Sequence, residues 1–208
     1  AATGASANAF TSFDRTAYLF ACGDHFKESL EILLDFVSRP YFTKETVQKE
    51  QGIIGQEIKM YDDDPGWRVM FNLLEALYHE NTVRNDIAGT VESISHITPE
   101  LLYECYESFY NPHNMVLTVA GSFEVQTVLD LVEAYYHKEY PVVDIRRFVP
   151  DEPRAPKTSY VEQVLPVSVP MFQIGFKGLS LGETGNLMAQ PAGEIILEMM
   201  AGDWSPSY

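Results

Sequence analysis

Apolar and polar positions alternate over residues 8–20, a stretch rich in Phe, Thr, Tyr and Ala, which predicts a β-hairpin turning at Ser12-Phe13-Asp14-Arg15. The period then changes. Phe26, Leu30, Leu33 and Val37 recur at helical spacing behind Asp24, a natural N-cap, and Pro40 stops the helix they predict. Thr43 opens a longer helix to about Tyr61, with Val47, Ile54, Ile58 and Tyr61 as its apolar stripe. Asp64 followed by Pro65 is a cap with a first-turn proline, and it starts a third helix through Tyr78 that turns Trp67, Met70, Leu74 and Leu77 inward.

Farther along, Thr98-Pro99-Glu100 repeats the capping logic for a helix to about Tyr110. Asn111-Pro112-His113-Asn114 is a turn into the apolar run 115–120, which reads as a buried strand. Another helix is predicted over residues 124–136. Residues 141–157 are proline-rich, charged and aperiodic, and they predict a long internal loop. Two strand-like runs follow at 159–164 and 171–176, then a helix near 194–200 with Pro191 in its first turns, and a polar end at 203–208. Strands toward both ends with consecutive helices between them predict an α+β fold, a mainly antiparallel sheet with helices packed on one face. No fixed-period repeat is present, and residues 1–208 read as a single domain.

Composition narrows the functional classes. At 46% hydrophobic residues the chain can bury a core, so disorder is not expected. A net charge of −16 disfavours a phosphate backbone and tolerates or attracts basic peptides, which places nucleic acid low among the partners expected. No run approaches the roughly 18 apolar residues of a membrane span, and the first residues lack the basic and apolar regions of a leader. Cys22 and Cys105 cannot form a disulfide framework; they read as small core residues in a reducing compartment, so the expected location is cytoplasmic. Asp62-Asp63-Asp64 lacks the alternating ligands and central glycine of a calcium loop and reads as a cap. His79 at a helix end and His113 in a turn read as structural, and Trp67, Phe71 and Tyr78 as core.

The chemistry centres on Glu50 and Glu57, seven residues apart and therefore two turns along one helix face, within about 20° of each other. Their β-carbons would be on the order of 10 Å apart, so one could ligate a metal ion and the other support it. Judged by spacing alone, glutamates at an interval of seven are more often just a solvated helix face.

The ordered landmarks say more. Asn8-Ala9-Phe10-Thr11-Ser12 with Thr16-Ala17-Tyr18, then Glu50 and Glu57 within residues 48–61, then Ile97-Thr98-Pro99-Glu100, Phe109-Tyr110-Asn111-Pro112-His113-Asn114-Met115 and Val119-Ala120-Gly121, resemble the insulinase/pitrilysin family of zinc metallopeptidases. These inverzincins have a mitochondrial-processing-peptidase-like fold, and the resemblance is to the bacterial insulinase-like branch. It is clearest over about residues 5–125; residues 202–208 are similar to a helix-exit segment of the family.

The resemblance implies a processing-peptidase/LuxS-like metallohydrolase domain. It also implies a zinc ion held by two histidines of H-x-x-E-H on one helix and a glutamate of a later one, with the motif's own glutamate activating water. Glu57 matches the later zinc ligand and Glu50 the supporting glutamate. Asn8, Ala9 and Phe10 match the edge strand along which a peptide substrate is laid. None of His25, His79, His96, His113 and His137 sits in H-x-x-E-H, which in the family lies upstream of the Asn-Ala-Phe-Thr strand. The chain is therefore expected to be an N-terminally truncated part of a zinc metalloendopeptidase, itself holding no zinc and inactive. The alternative is a non-catalytic partner or scaffold subunit of the same family; the presence of both glutamates favours the enzyme. A second homologous domain or a homo-oligomer is implied as partner, and an uncovered edge beside Asn8 is expected to promote self-association.

Overall fold

The computed structural model describes residues 3–146, 148–178 and 182–201. Strands β1 (Ser6–Thr11) and β2 (Thr16–Ala21) pair antiparallel, with Asn8 opposite Leu19 and Phe10 opposite Ala17. The predicted turn closes them: the Ser12 N–H donates to the Arg15 carbonyl at 2.8 Å and the Ser12 hydroxyl to Asp14 Oδ1 at 2.8 Å.

Seven α-helices lie among the described residues, and three of the four caps read from the sequence, Thr43, Asp64 and Thr98, each start one with a side-chain hydrogen bond. Helix α1 (Phe26–Ser38) is the exception, because His25, not Asp24, is its N-cap, in the left-handed region at φ 55° and without a side-chain bond. Thr43 caps α2 (Lys44–Asp62) in a reciprocal pair with Thr46, and Asp64 caps α3 (Pro65–Leu77) by accepting from the Trp67 N–H at 2.9 Å. The five-residue α4 (Val91–Ser95), started by Thr90 and Ser93, is too short for periodicity to reveal. Helices α5 (Pro99–Phe109) and α6 (Val125–Tyr135) follow as predicted. Helix α7 (Gly182–Ala201) is longer than predicted, with Pro191 inside it rather than in its first turns; Leu187-Met188-Ala189-Gln190 are helix formers that continue the helix ahead of the proline.

The main core cluster joins Leu30 and Leu34 of α1 to Val128 and Leu131 of α6, with Phe20, Phe26 and Phe123 packed around them. Leu30 is 1% exposed, so Leu30→Ala leaves a cavity costing about 2–5 kcal/mol. Thermal circular dichroism is expected to show a melting temperature lower by on the order of 10 °C.

Residues 151–177 cross α3 as a strap. The Thr158 N–H donates to the Ala76 carbonyl at 3.0 Å, and Gln163 Oε1 accepts from Asn72 at 2.8 Å and Arg68 at 3.3 Å. Gly175 lies so close to α3 that a Cβ there would come within 2.7 Å of Leu77. At the helix end the Glu152 carboxylate accepts from the backbone N–H groups of His79, Glu80 and Asn81 at 2.6, 2.9 and 2.9 Å. Lys177 Nζ, 7% exposed, donates to the same carboxylate at 2.9 Å and to the carbonyls of Pro153 and Ala155.

The sheet is smaller than predicted. Among the described residues it has two strands, and the runs 115–120, 159–164 and 171–176 carry no strand pairing. A ladder requires a neighbouring strand, and none lies beside these runs. Nor is the first of them buried: Val116 is 91% exposed, as are Val164 (90%), Phe172 (82%) and Phe176 (83%). The chain presents 16536 Å² of surface, whereas a compact monomer of 23.5 kDa presents roughly 9,800 Å².

Candidate functional site

Helix α2 buries Val47 and Ile58 and leaves Glu50 and Glu57 exposed, so both predicted site carboxylates stand on its outer side. Two turns of helix separate them by roughly 10 Å along the axis, and no hydrogen bond joins them. Glu50 has no hydrogen-bond or ionic partner among the described residues. Glu57 is mounted differently.

The Tyr61 hydroxyl, one turn on, donates to Glu57 Oε1 at 2.8 Å. The Tyr61 ring stacks on Trp67, with centroids 4.5 Å apart and planes 17° from parallel. Trp67 Nε1 donates in turn to Asp86 Oδ2 at 2.7 Å, while Asp86 Oδ1 accepts from the Ala88 N–H at 2.9 Å. The hydrogen bond to Glu57 is the main cause that raises the Tyr61 phenol above its ordinary range, so it stays a donor. One hydrogen bond thus ties an otherwise solvated carboxylate to a line of contacts that runs from α2 through α3 to the loop after it. Asp86 also lines a cavity of about 390 Å³ with Ile58, Tyr61 and Arg68.

Sequence reasoning placed Tyr61 and Trp67 in the core and did not single out Asp86. The Glu57–Tyr61 spacing of four on a helix was an available signal. Nothing local links Trp67 to Asp86, 19 residues on.

Asn8, Ala9 and Phe10 are exposed on β1, which pairs with β2 alone and so has one edge free among the described residues. Asn8 Oδ1 accepts from the Ala9 N–H at 2.8 Å. An incoming strand would have to displace that carboxamide.

Among the described residues the histidines and cysteines give no second centre. His113 Nε2 lies 3.2 Å from the Tyr140 carbonyl and His137 Nδ1 3.2 Å from that of Ala134, in keeping with structural roles. His79 Nε2 is buried without a partner. Cys22 is half-buried, but Cys105 is exposed, contrary to a core role, because α5 buries none of its side chains. Among the described residues no three His, Cys, Asp or Glu side chains stand together, so these residues by themselves do not supply the ligand set of a zinc ion.

Two family models match the sequence: Insulinase (Peptidase family M16) over residues 1–91 and the Peptidase M16 inactive domain over residues 96–203. The chain belongs to the M16 peptidase family. Its similarity extends to the zinc protease YmfH of Bacillus subtilis, 46% identical across 99% of this chain and 49% of that protein. Among solved structures, an M16-like peptidase from Alicyclobacillus acidocaldarius is 46% identical, with a TM-score of 0.71 over 76% of this chain and 38% of its own. A Helicobacter pylori protease, 21% identical with a TM-score of 0.62 over 74% of this chain and 38% of its own, shares the fold.

The chain thus spans about half the length of YmfH or less of these M16 relatives. The two M16 matches are physically joined here: Gln51 Nε2 on α2 donates to the carbonyl of Ile97 at 2.9 Å, and the 151–177 strap lies on α3. The resemblance noted at residues 202–208 lies outside the described residues.

Proposed function

We propose that this chain is part of a zinc-dependent metalloendopeptidase, to which it contributes a third zinc ligand and the strand that receives the substrate. In this reading Glu57 ligates zinc beside two histidines of an H-x-x-E-H helix in the longer protein, and Glu50 supports that helix. The mount on Glu57 carries the reading: a merely solvated carboxylate has no need of Tyr61, Trp67 and Asp86 behind it, whereas a ligand gains from one fixed rotamer. Zinc, when held by the complete ligand set, supplies the Lewis acid for peptide-bond hydrolysis. Tyr61 orients the ligand, and the main-chain groups of Asn8, Ala9 and Phe10 bind peptide as an added strand.

The runs 115–120, 159–164 and 171–176 are strands of the larger processing-peptidase-like sheet in this reading. Their exposure and the excess surface support a covering domain, either a second homologous half or another subunit. The 208-residue chain by itself is inactive, and its two free cysteines suit the cytoplasm.

The test is hydrolysis of a quenched fluorogenic peptide by the longer protein that carries this chain. Chelator-sensitive cleavage is the expected result. A protein that never cleaves, yet binds a catalytically active homologue, would be the non-catalytic partner subunit instead.

A further inference from the structure

The line of contacts behind Glu57 ends at Asp86, and Asp86 belongs to a short loop that has a second anchor. Helix α3 closes at Tyr78, whose N–H still reaches the Leu74 carbonyl. The next three N–H groups, of His79, Glu80 and Asn81, all turn to the carboxylate of Glu152, as consecutive amides do when they form a nest for an anion. Lys177 completes the cage, with Nζ 2.9 Å from the same carboxylate and 5.1 Å from the centre of the Tyr78 ring. The Glu152 side chain is 15% exposed, so solvent screens the pair little, and charge-assisted bonds of this kind are the strong ones.

Between the nest and Asp86 the chain has little freedom. Arg84 Nη1 donates to the His79 carbonyl, the Arg84 N–H donates to the Asn81 carbonyl at 3.2 Å, and the Asn81 carboxamide accepts from the Val83 N–H at 3.0 Å. A single 3₁₀ turn fills Thr82–Arg84. Beyond it Asp86 accepts from Ala88 through Oδ1 and from Trp67 through Oδ2, so its position decides where the indole rests, and with it the Tyr61 ring stacked on the indole. The strap, from the second of the two M16 matches, therefore meets the support of Glu57, from the first, at one loop.

We propose that Glu152 is a positioning residue for Glu57: by anchoring the loop after α3 it holds Asp86 and, through Asp86, the Trp67 and Tyr61 rings that bear on the zinc ligand. This role rests on the reading of Glu57 as a ligand, and adds to it that the second matched region governs how well the first holds metal. Arg68 is a weaker tie between the same parts. It reaches Gln163 at 3.3 Å and Asp62 at 3.5 Å, and Asp62 is solvent-exposed.

The test has two arms: zinc affinity of the longer protein that carries this chain, read by chelator competition, and hydrogen exchange of the Trp67 indole N–H in the 208-residue chain, read by NMR and assigned by its loss in Trp67→Phe. Glu152→Gln is expected to weaken zinc roughly fivefold, the scale of couplings through packed networks, and to speed the indole exchange, both measured well below the melting temperature. Asp86→Asn is expected to weaken zinc by a similar factor, and the double variant no further than Asp86→Asn alone, since both changes interrupt one line of contacts. Glu152→Asp, which keeps the charge beside Lys177 but shortens its reach to the three N–H groups, is the milder variant and is expected to move both readouts in the same direction. Leu30→Ala is the control for lost stability. It lies in the α1–α6 cluster, which includes no residue of the loop or of the support behind Glu57, and it is expected to leave zinc affinity and indole exchange unchanged. Equal loss of zinc with Leu30→Ala and Glu152→Gln, additive losses in the double variant, or zinc held equally by the wild type and Glu152→Gln would overturn the role of Glu152 alone. A longer protein that holds no zinc would overturn the reading of Glu57, and the role of Glu152 with it.

Discussion

Glu152→Gln is expected to lower the melting temperature of the chain by on the order of 10 °C near neutral pH. The substitution keeps the shape of the side chain but removes its charge. It leaves Lys177 buried beside a neutral amide and sets an NH₂ donor against backbone N–H groups that in the native chain donate to a carboxylate oxygen. Those donors, the N–H groups of His79, Glu80 and Asn81, have no helical partner to return to. Desolvation pushes the Glu152 carboxyl upward, but the three N–H groups and Lys177 more than reverse it and hold the group at about 2, against an ordinary 4.5.

The sign of the pH dependence follows. The folded state binds this proton less tightly than the unfolded chain, so the stabilisation is complete above about pH 4.5 and is lost as pH falls through the interval toward 2. Melting curves of both proteins across that interval should converge on acidification. A constant gap would show that the charge of Glu152 is not what secures the strap to α3.

Glu57→Gln carries the second large effect, in the longer protein that contains this chain. Zinc is expected to be lost and peptide hydrolysis to fall at least about a hundredfold, because an amide is a poor replacement for an anionic ligand. The order of effects across the mount is the sharper result. Glu50→Gln should weaken zinc retention by roughly 10–100-fold, and Tyr61→Phe, which keeps the stack on Trp67 but removes the donor to Glu57, by about tenfold. Chelator competition reads each value. Equal affinity in the wild type and Tyr61→Phe would mean that the mount is structural only.

Helices and caps were legible because their signals are local. Thr43, Asp64 and Thr98 each announce a helix within a few residues, and the structure uses all three as side-chain caps. His25 displaced Asp24 because a left-handed residue re-aims the chain at that point, a preference that composition does not encode. The strand runs failed for a different reason. Alternation and β-branching say that residues 115–120 suit a strand, but a strand is completed by its neighbour, and the described residues provide none. In the candidate site, the shared face of Glu50 and Glu57 followed from helical period alone. The support behind Glu57 did not, since the Trp67–Asp86 bond joins α3 to a loop 19 residues on, and the Glu152–Lys177 pair spans 25 residues of aperiodic chain.

The most direct test is the metal content of a longer protein that carries this chain together with an H-x-x-E-H helix, compared with that of the 208-residue chain. One zinc per molecule in the longer protein, lost on Glu57→Gln and absent from this chain alone, is the expected result. A longer protein that stays metal-free, or one that keeps its zinc after Glu57→Gln, would contradict the assignment of Glu57 and of the peptidase chemistry built on it.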